Sequence, residues 1–358
     1  MSTLWILGAG CSRNYALGTS PVEGLLPPLN NDFFVMAKKV LDFYPKLIWY
    51  NMGGIDGLDH LIEDLQSVYG YKKDESDLSV FVDPRLTLER VMNHFYLRNK
   101  LMGYEAGFKL PEAESRRTRA LGELLAATLT ESLKGPPCDK HASLARLIQK
   151  GDTVISMNYD LLMDNALYNI GKLTDAGYNV RFDRAFAGGH WIRPDDGPSG
   201  VDLLKLHGSL NWLKCRNCGF NLLLRGIKGA LDPAELLRQD FSCPRCKTPM
   251  RLGLERLIIP PAATKDFSDM DIRYLWQSAP RRLSETEQIV SIGYRFSESD
   301  SELEMLLREA IGQRVARIVV VNRHATEIER RFRSVFPESK LHRHMSLAGF
   351  FGHRCGRP

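Results

Sequence analysis

Residues 4–12 read LWILGAGCS, a short apolar run that stops at a glycine turn. Four further apolar runs are followed closely by Gly, Asn or His: TVIS at 153–156, VDLLKL at 201–206, QIVSI at 288–292 and RIVVV at 317–321. Runs of this length are typical of strands that are buried on both faces of a parallel sheet. Residues 4–12 therefore predict the first strand, and the first turn after a strand, of an α/β fold.

Helical patterns follow three of these strands, over residues 160–170, 299–311 and 326–336. Ser299 with Glu302, and Thr326 with Glu329, fit capping boxes at two of the helix starts. The repeated alternation of strand and helix predicts a doubly wound parallel sheet.

Two insertions interrupt this pattern. The first separates the first two strands by nearly 150 residues, and its apolar residues recur at helical spacing over 58–69, 87–102, 113–134 and 141–149. One crossover connection does not need so many residues, so the pattern predicts a helical module. The second insertion, residues 213–252, is framed by cysteines.

Those cysteines form two C-x-x-C pairs, Cys215 with Cys218 and Cys243 with Cys246, and 24 residues lie between the pairs. Two such pairs can supply four thiolates to one tetrahedral zinc ion. A four-thiolate set leaves no coordination position open for a substrate, so we expect a structural zinc. Three cysteines are left over: Cys11, Cys138 and Cys355. Cys11 lies in the glycine turn, where it is either a reactive thiol or, as we favour, a small packing residue.

Length and composition point to a globular protein. The chain has 358 residues, of which 44% are hydrophobic and 25% charged, so disordered and fibrous classes are excluded. No apolar run approaches the roughly 18 residues of a membrane helix, and the first ten residues lack the basic flank of a signal peptide. We therefore expect a cytoplasmic protein that does not enter a membrane.

The small positive charge of the chain is concentrated in the second insertion. The net charge is +5, and eight basic residues against three acidic residues lie between Lys214 and Arg251. This surplus is either a solvated surface, which we favour, or a docking face for an acidic protein or a nucleic acid.

Polar residues follow every predicted strand at its carboxyl end, which is where open α/β sheets bind ligands. They are GAGCS at 8–12, MNYD at 157–160, HGS at 207–209, GYRFS at 293–297 with the nearby Asp300, and Asn322. Taken singly, each has a structural explanation: a tight turn for the glycines, a backbone hydrogen bond for His207, and turn or cap chemistry for Asp300 and Asn322. Their position at one edge of one sheet predicts a ligand site.

In this order, GAGCS, MNYD, HGS, the cysteine pairs, GYRFSESD and VVVN resemble the motifs of the sirtuin family of NAD-consuming enzymes, from Gly8 to Asn322. The resemblance implies a Rossmann-like doubly wound parallel sheet with an inserted helical module and a small four-cysteine zinc module. We place the NAD-binding domain at 1–32, 151–212 and 253–345, the helical insertion at 33–150, the zinc module at 213–252 and a C-terminal tail at 346–358.

The resemblance also implies roles for single residues. His207 would be the catalytic base, and Asn158 and Asp160 would face the nicotinamide ribose. The NAD diphosphate would be held by Gly8, Ala9, Gly10 and Ser12. Three further residues complete the expected cofactor-binding set: Gly293, Ser297 and Asn322.

Two segments depart from the deacylating sirtuins. Residues 21–34 lack the G-I-P-D-F-R type segment, and LIIPPAATK at 257–265 lacks the phenylalanine-glycine-glutamate stretch that lines the acyl-lysine channel. The paired prolines and lysine, followed by Trp276, are similar to a divergent bacterial sirtuin-like branch whose members hydrolyse NAD in antiphage defence. That branch usually has serine where Arg295 stands.

The sequence therefore predicts an NAD+ glycohydrolase that releases nicotinamide and ADP-ribose, with NAD+ as substrate, as a regulated toxic effector of antiphage defence. Nicotinamide leaves as a neutral molecule, so no general acid is required. The alternatives are an NAD-dependent lysine deacylase and a non-catalytic nucleotide sensor or zinc-containing adaptor. Because uncontrolled NAD hydrolysis is toxic, we expect control by homo-oligomerisation or by a regulatory partner protein.

Overall fold

The computed structural model describes residues 2–13, 15, 18–47, 55–102, 112–225, 242–249, 254–259, 267, 269–296 and 300–355. Its strands are β1 (Ser2–Leu7), β2 (Thr153–Ser156), β3 (Arg184–Ala187), β4 (His190–Ile192), β5 (Asp202–Leu204), β6 (Gly208–Cys215), β7 (Asn221–Leu224), β8 (Leu254–Ile258), β9 (Thr286–Ile292), β10 (Arg317–Val321) and β11 (Lys340–His344).

The α-helices are α1 (Ala9–Ser12), α2 (Phe33–Phe43), α3 (Leu58–Tyr69), α4 (Leu88–Met102), α5 (Glu112–Ser132), α6 (Asp139–Leu147), α7 (Leu162–Tyr168), α8 (Met270–Leu283), α9 (Ser301–Ile311), α10 (Ala325–Val335) and α11 (Leu347–Cys355). Short 3-10 helices occupy Pro45–Leu47, Leu78–Val82, Asp175–Tyr178 and Gly312–Arg314. None of the helices in the described part of the chain is long and apolar enough to cross a membrane.

Six parallel strands form the larger sheet, in the order β11-β10-β9-β1-β2-β5. The chain moves outward from β1 through β2 to β5, and then returns to the other side of β1 for β9, β10 and β11. This is the strand order of a Rossmann fold, and the order reverses between β1 and β9. The predicted doubly wound parallel sheet is therefore confirmed.

The strands of this sheet end at one level. Leu7, the last residue of β1, is paired with Ser156 of β2 and with Ile292 of β9, and Ile292 is paired with Val321 of β10. The segments that leave these strands consequently meet at one edge of the sheet. That edge contains the residues that the sequence analysis singled out.

All five predicted strands are present, and 153–156 and 317–321 match the structure in both bounds. The four helices predicted within the first insertion also form, as α3, α4, α5 and α6. The capping box at Thr326 is wrong, because α10 begins at Ala325 and the residue at its N-cap is His324. The other predicted cap, Ser299, lies outside the described residues.

The described residues form two large apolar cores. One surrounds the six-stranded sheet, and the other lies among the helices of the first insertion. Helix α6 packs Leu144 and Ala145 into the sheet core, whereas Tyr159, which follows β2, packs into the helical core. The segment after β2 is therefore held between the two cores.

A second sheet, in the order β4-β3-β7-β6-β8, extends from the site edge to the cysteine pairs. Strand β6 begins at Gly208, directly after His207, and ends at Cys215. It pairs with β8 at both ends, Gly208 with Ile258 and Cys215 with Leu254. One continuous strand thus connects the predicted catalytic histidine to the cysteine pairs.

Candidate active site

The glycine turn after β1 packs against the turn after β9. A Cβ on Gly8 would lie 2.5 Å from the Cα of Tyr294, and a Cβ on Gly10 would lie 2.8 Å from the carbonyl oxygen of Gly293. The amides of Gly8 and Gly10 donate to the carbonyl oxygens of Ile292 and Gly293, each at 3.0 Å. Close contact between the two turns explains these glycines, and their contact with a diphosphate stays a prediction.

Gly293 is constrained in the same way. Its φ is +64°, and a Cβ there would lie 2.1 Å from the amide nitrogen of Cys11. The turn after β10 is attached to the same place, because the Asn322 side-chain amide donates to the carbonyl oxygen of Tyr294 at 3.2 Å. Ser297, the third residue predicted at this position, lies outside the described residues.

Ser12, Asn158 and Asp160 form a buried hydrogen-bonded cluster that joins β1 to β2. The Ser12 hydroxyl donates to Oδ2 of Asp160 at 2.6 Å and accepts from Nδ2 of Asn158 at 3.0 Å. Since that hydroxyl has one proton, its donor capacity is committed to Asp160. Ser12 therefore ties the two strand ends together, and its phosphate contact stays a prediction.

Asn158 presents one polar atom that the protein does not satisfy. Its Nδ2 donates to the carbonyl oxygen of Gly8 and to Ser12, both at 3.0 Å. Its Oδ1 is buried and has no hydrogen-bond partner within the described part of the chain, and the residue is only 8% exposed. A buried acceptor without a donor costs about 1–3 kcal/mol, so this oxygen is a site for a ligand hydroxyl or a water.

Asp160 orders the segment that contains Asn158. Its Oδ1 accepts from the amide of Leu162 at 3.0 Å, while Oδ2 accepts from Ser12. Both carboxylate oxygens are thus engaged within the protein. The geometry therefore shows Asp160 ordering the segment that follows β2, and its contact with a ribose stays a prediction.

Lys205 also holds the segment that follows β2 in place, and the sequence analysis did not identify this lysine. The side chain is fully buried, and its Nζ donates to the carbonyl oxygen of Asp160 and to Oδ2 of Asp164, the latter at 3.1 Å. The Tyr178 hydroxyl donates to the other oxygen of Asp164 at 2.7 Å. A lysine within the apolar run VDLLKL was the available signal, since a buried lysine requires a partner.

His207 lies between β5, which ends at Leu204, and the start of β6, with its ring 6.3 Å from that of Tyr159 after β2, and it is 4% exposed. Its carbonyl oxygen accepts from the amide of Ile259 at 2.8 Å, and the carbonyl oxygen of Ile259 accepts from the Tyr159 hydroxyl at 2.8 Å. The indole of Trp276 donates to the carbonyl oxygen of Leu206 at 3.0 Å. The backbone on either side of the imidazole is therefore fixed by three elements.

The His207 ring makes no hydrogen bond at Nε2 among the described residues. Oδ1 of Asp300 lies 3.4 Å from Nε2. The explanation that this histidine is satisfied by a backbone carbonyl does not hold for Nε2. A buried imidazole and the unpaired Asn158 oxygen thus occupy adjacent strand ends.

The environment of Cys11 disfavours a reactive thiolate. It is fully buried, burial raises the pKa of its thiol, and its Sγ lies 3.4 Å from Nε2 of His141. Nδ1 of His141 lies 3.1 Å from Sγ of Cys138. The packing role favoured for Cys11 agrees with this neutral, enclosed thiol.

The two cysteine pairs converge. The four sulfur atoms, one each from Cys215, Cys218, Cys243 and Cys246, lie within 4.8 Å of one another. Two of the sulfur contacts, Cys215 to Cys246 and Cys218 to Cys243, are 3.5 Å long. Four sulfurs on a tetrahedral zinc ion are about 3.8 Å apart, so the donor set and its spacing fit a structural zinc.

Part of the basic surplus around these cysteines is neutralised by acids from outside the insertion. Lys214 contacts Asp269 at 2.6 Å and Asp271 at 3.0 Å, and Arg216 contacts Glu255 at 2.5 Å. Arg225 is paired with Asp175. Lys228, Arg238 and Arg251 lie outside the described residues. These pairs lower the local net charge, and the choice between a solvated surface and a docking face stays a prediction.

The chain has low sequence identity to the known structures that it resembles. No family model matches the chain, and no curated protein matches it. Among solved structures, one of a Sir2 enzyme has 15% identity and a TM-score of 0.41, with 98% of this chain and 88% of that chain covered. A Sir2 complex with the inhibitor EX-527, 2′-O-acetyl-ADP-ribose and a deacetylated p53 peptide has 15% identity, a TM-score of 0.40 and coverage of 99% and 91%.

Proposed function

We propose that this protein is an NAD+ glycohydrolase whose catalytic group is His207. One observation carries the proposal: a buried imidazole and the unpaired Oδ1 of Asn158 lie at the ends of adjacent strands in a sheet with Rossmann strand order. Sheets with this strand order generally bind dinucleotides where the order reverses, and here the order reverses between β1 and β9. The glycine turn and Gly293 follow those two strands directly.

In the proposed reaction the bond between nicotinamide and C1′ of the ribose breaks. Its electron pair goes to the ring nitrogen, so nicotinamide leaves as a neutral molecule. A water oxygen forms the new bond to C1′, and His207 takes the water proton, directly or through a ribose hydroxyl. Nicotinamide, ADP-ribose and one proton are the products.

Asn158 orients the reacting oxygen in this mechanism. Its amide nitrogen is anchored to Gly8 and Ser12, so Oδ1 is held in one direction and can accept from a ribose hydroxyl or from the water. A fixed dipole of this kind needs no rearrangement as charge develops at the ribose. Asp160 and Ser12 act by holding Asn158 in place.

Incubation of the purified full-length protein with NAD+ and no peptide tests the proposal. We expect nicotinamide and ADP-ribose in equal amounts, and we expect His207→Ala and Asn158→Ala each to lower turnover by at least about 10²-fold. His190→Ala, which removes an exposed histidine, is the matched control and should retain turnover. Product formation only in the presence of an acylated peptide would identify a deacylase instead.

We further propose that NAD+ hydrolysis is the toxic step of a regulated antiphage effector, since loss of NAD+ halts a cell. In bacteria that carry the gene, the NAD+ pool should fall after phage infection with the wild-type chain and persist with His207→Ala. A stable NAD+ pool together with undiminished protection would contradict the effector role. Control by self-association or by a partner protein, with the helical insertion as the contact surface, belongs to the same proposal.

A further inference from the structure

Asp300 lies where a helix cap is expected, but its side chain does not cap the helix. It is the N-cap residue of α9, and its carboxylate accepts no hydrogen bond from the first turn. An aspartate at this position usually accepts from the second or third backbone amide of the helix. The backbone of Asp300, with φ −108° and ψ +33°, is not the extended backbone of most N-cap residues, so its carboxylate does not reach those amides.

That carboxylate is directed at two buried side chains. Oδ1 lies 3.4 Å from Nε2 of His207, and Oδ2 accepts from the Tyr294 hydroxyl at 2.8 Å. The side chains of His207 and Asp300 are 5% and 7% exposed. In such an enclosed position the interaction of a carboxylate with an imidazole is screened far less than it would be in water.

Tyr294 holds the carboxylate in place. Burial, reinforced by the nearby Asp300 charge, raises the pKa of Tyr294 well above its ordinary value, so its hydroxyl stays protonated and remains a donor. The backbone of Tyr294 is itself fixed, because its carbonyl oxygen accepts from Asn322. The carboxylate therefore has one oxygen anchored and the other beside the imidazole.

We propose that Asp300 is the positioning residue of His207, clamped by Tyr294, and that it selects the tautomer in which Nε2 carries the proton. This inference rests on the proposed catalytic role of His207. Nε2 lies at ion-pair distance from the carboxylate without forming a hydrogen bond to it, so the negative charge of Asp300 favours a proton on Nε2 and leaves the lone pair on Nδ1. Nδ1 then takes the proton of the attacking oxygen, and Asp300 stabilises the imidazolium that results.

Three variants test the proposal by steady-state kinetics with NAD+. Asp300→Asn keeps the shape and removes the charge, and we expect it to lower kcat about 10²-fold with KM changed less than about twofold. Tyr294→Phe removes only the clamping hydroxyl, so we expect a smaller loss of kcat, about tenfold. Glu302→Gln is the control, because it removes a negative charge from the first turn of the same helix, and kcat should not change.

A second measurement does not depend on turnover. The two-bond ¹⁵N–¹H correlations of the His207 ring, assigned by their loss in His207→Ala, report which nitrogen carries the proton. We expect the Nε2–H tautomer in the wild-type protein and in Glu302→Gln, and a shift away from it in Asp300→Asn and Tyr294→Phe. If Asp300→Asn does not fold, Tyr294→Phe carries the same test.

The outcomes separate the two proposals. A wild-type protein that shows the Nε2–H tautomer but does not hydrolyse NAD+ would overturn the proposed function and leave the pairing intact. An active enzyme in which both variants keep the wild-type kcat and tautomer, with only a lower melting temperature, would overturn the positioning role of Asp300.

Discussion

Gly208 shows how strongly a single position next to His207, the proposed catalytic residue, is constrained. Its φ is +78°, and a Cβ there would lie 1.9 Å from the carbonyl oxygen of Leu257 on the neighbouring strand. The motif HGS thus requires glycine for backbone reasons, whatever the reaction is. Serine or alanine at this position would separate β6 from β8 next to His207.

Gly208→Ala should therefore destabilise the protein more than a conformational penalty alone would. Gly219 is the matched control, since its φ is +72° and no atom lies within 4 Å of the position of its Cβ. Both changes place alanine in the left-handed region, but only Gly208→Ala adds a clash, so we expect its loss of unfolding free energy to exceed that of Gly219→Ala by about 2 kcal/mol. Urea denaturation measures both values, and equal losses would contradict the steric explanation.

For single residues, the sequence predicted well which side chains lie at the site. It predicted less well which partners each of those side chains contacts. Asn158, Asp160 and His207 were identified from their positions after strands. The partners of Asp300 were not, because residues 207 and 300 are far apart in the chain and Asp300 follows a strand on the opposite side of β1. From local sequence, an aspartate before a helix is expected to form a turn or cap the helix. The contacts of Asp300 with His207 and Tyr294 arise only when the sheet packs.

Among the elements, helix α6 connects the helical insertion to the glycine turn. It carries His141, whose ring lies between Cys11 of the turn and Cys138 at the N-cap of the helix. Burial, the dominant cause, lowers the pKa of His141 from its ordinary value of 6.5 to about 4. The folded protein therefore holds this ring neutral.

This element should make the protein sensitive to acid. The unfolded chain takes up a proton at His141 near pH 6.5 and the folded chain only near pH 4, so stability falls as the pH drops between these values. A shift of this size corresponds to about 3 kcal/mol. The unfolding free energy of His141→Gln should fall less over this range, and that of the exposed-site control His190→Ala should fall as in the wild type. A wild-type slope in His141→Gln would show that other groups cause the acid sensitivity.

Several elements with a regular apolar pattern were predicted well, but the helices α2 and α8, which also bury one apolar face, were missed. Helix α3 was predicted as 58–69 and occupies Leu58–Tyr69. Strand β11, Lys340–His344, was missed because it is an edge strand of mostly polar residues, only partly covered by the fold. Its place in the sheet comes from backbone pairing with β10, and the side-chain pattern carries little information about backbone pairing.

On the scale of the whole molecule, the four cysteines close the far end of the second sheet. They bring the end of β6 next to the segment 242–249. Residues 226–241, which lie between β7 and this segment in the chain, are not among the described residues. Because this region adds only a small apolar cluster of its own, metal binding is expected to supply much of its stability.

We expect one zinc ion per chain in the purified protein. Cys246→Ser should lower the zinc content and the melting temperature, whereas Cys138→Ser, at a cysteine that contacts His141, should leave the zinc content unchanged. Chelation should unfold the region around the cysteines while the far-ultraviolet circular dichroism of the larger sheet largely persists. A protein that contains no metal and does not respond to chelators would refute the zinc assignment.

By itself, the sequence determined the parallel α/β class, the helical nature of the first insertion and the set of polar residues at the strand ends, because apolar periodicity and local motifs depend on neighbouring residues. Only the tertiary structure decided the strand order, the contact between the two glycine turns and the partners of Ser12, Lys205 and Asp300. These contacts join residues that are up to 286 positions apart, the separation of Gly8 and Tyr294. Which of them forms depends on how the strands order and pack, and no local pattern in the chain records that.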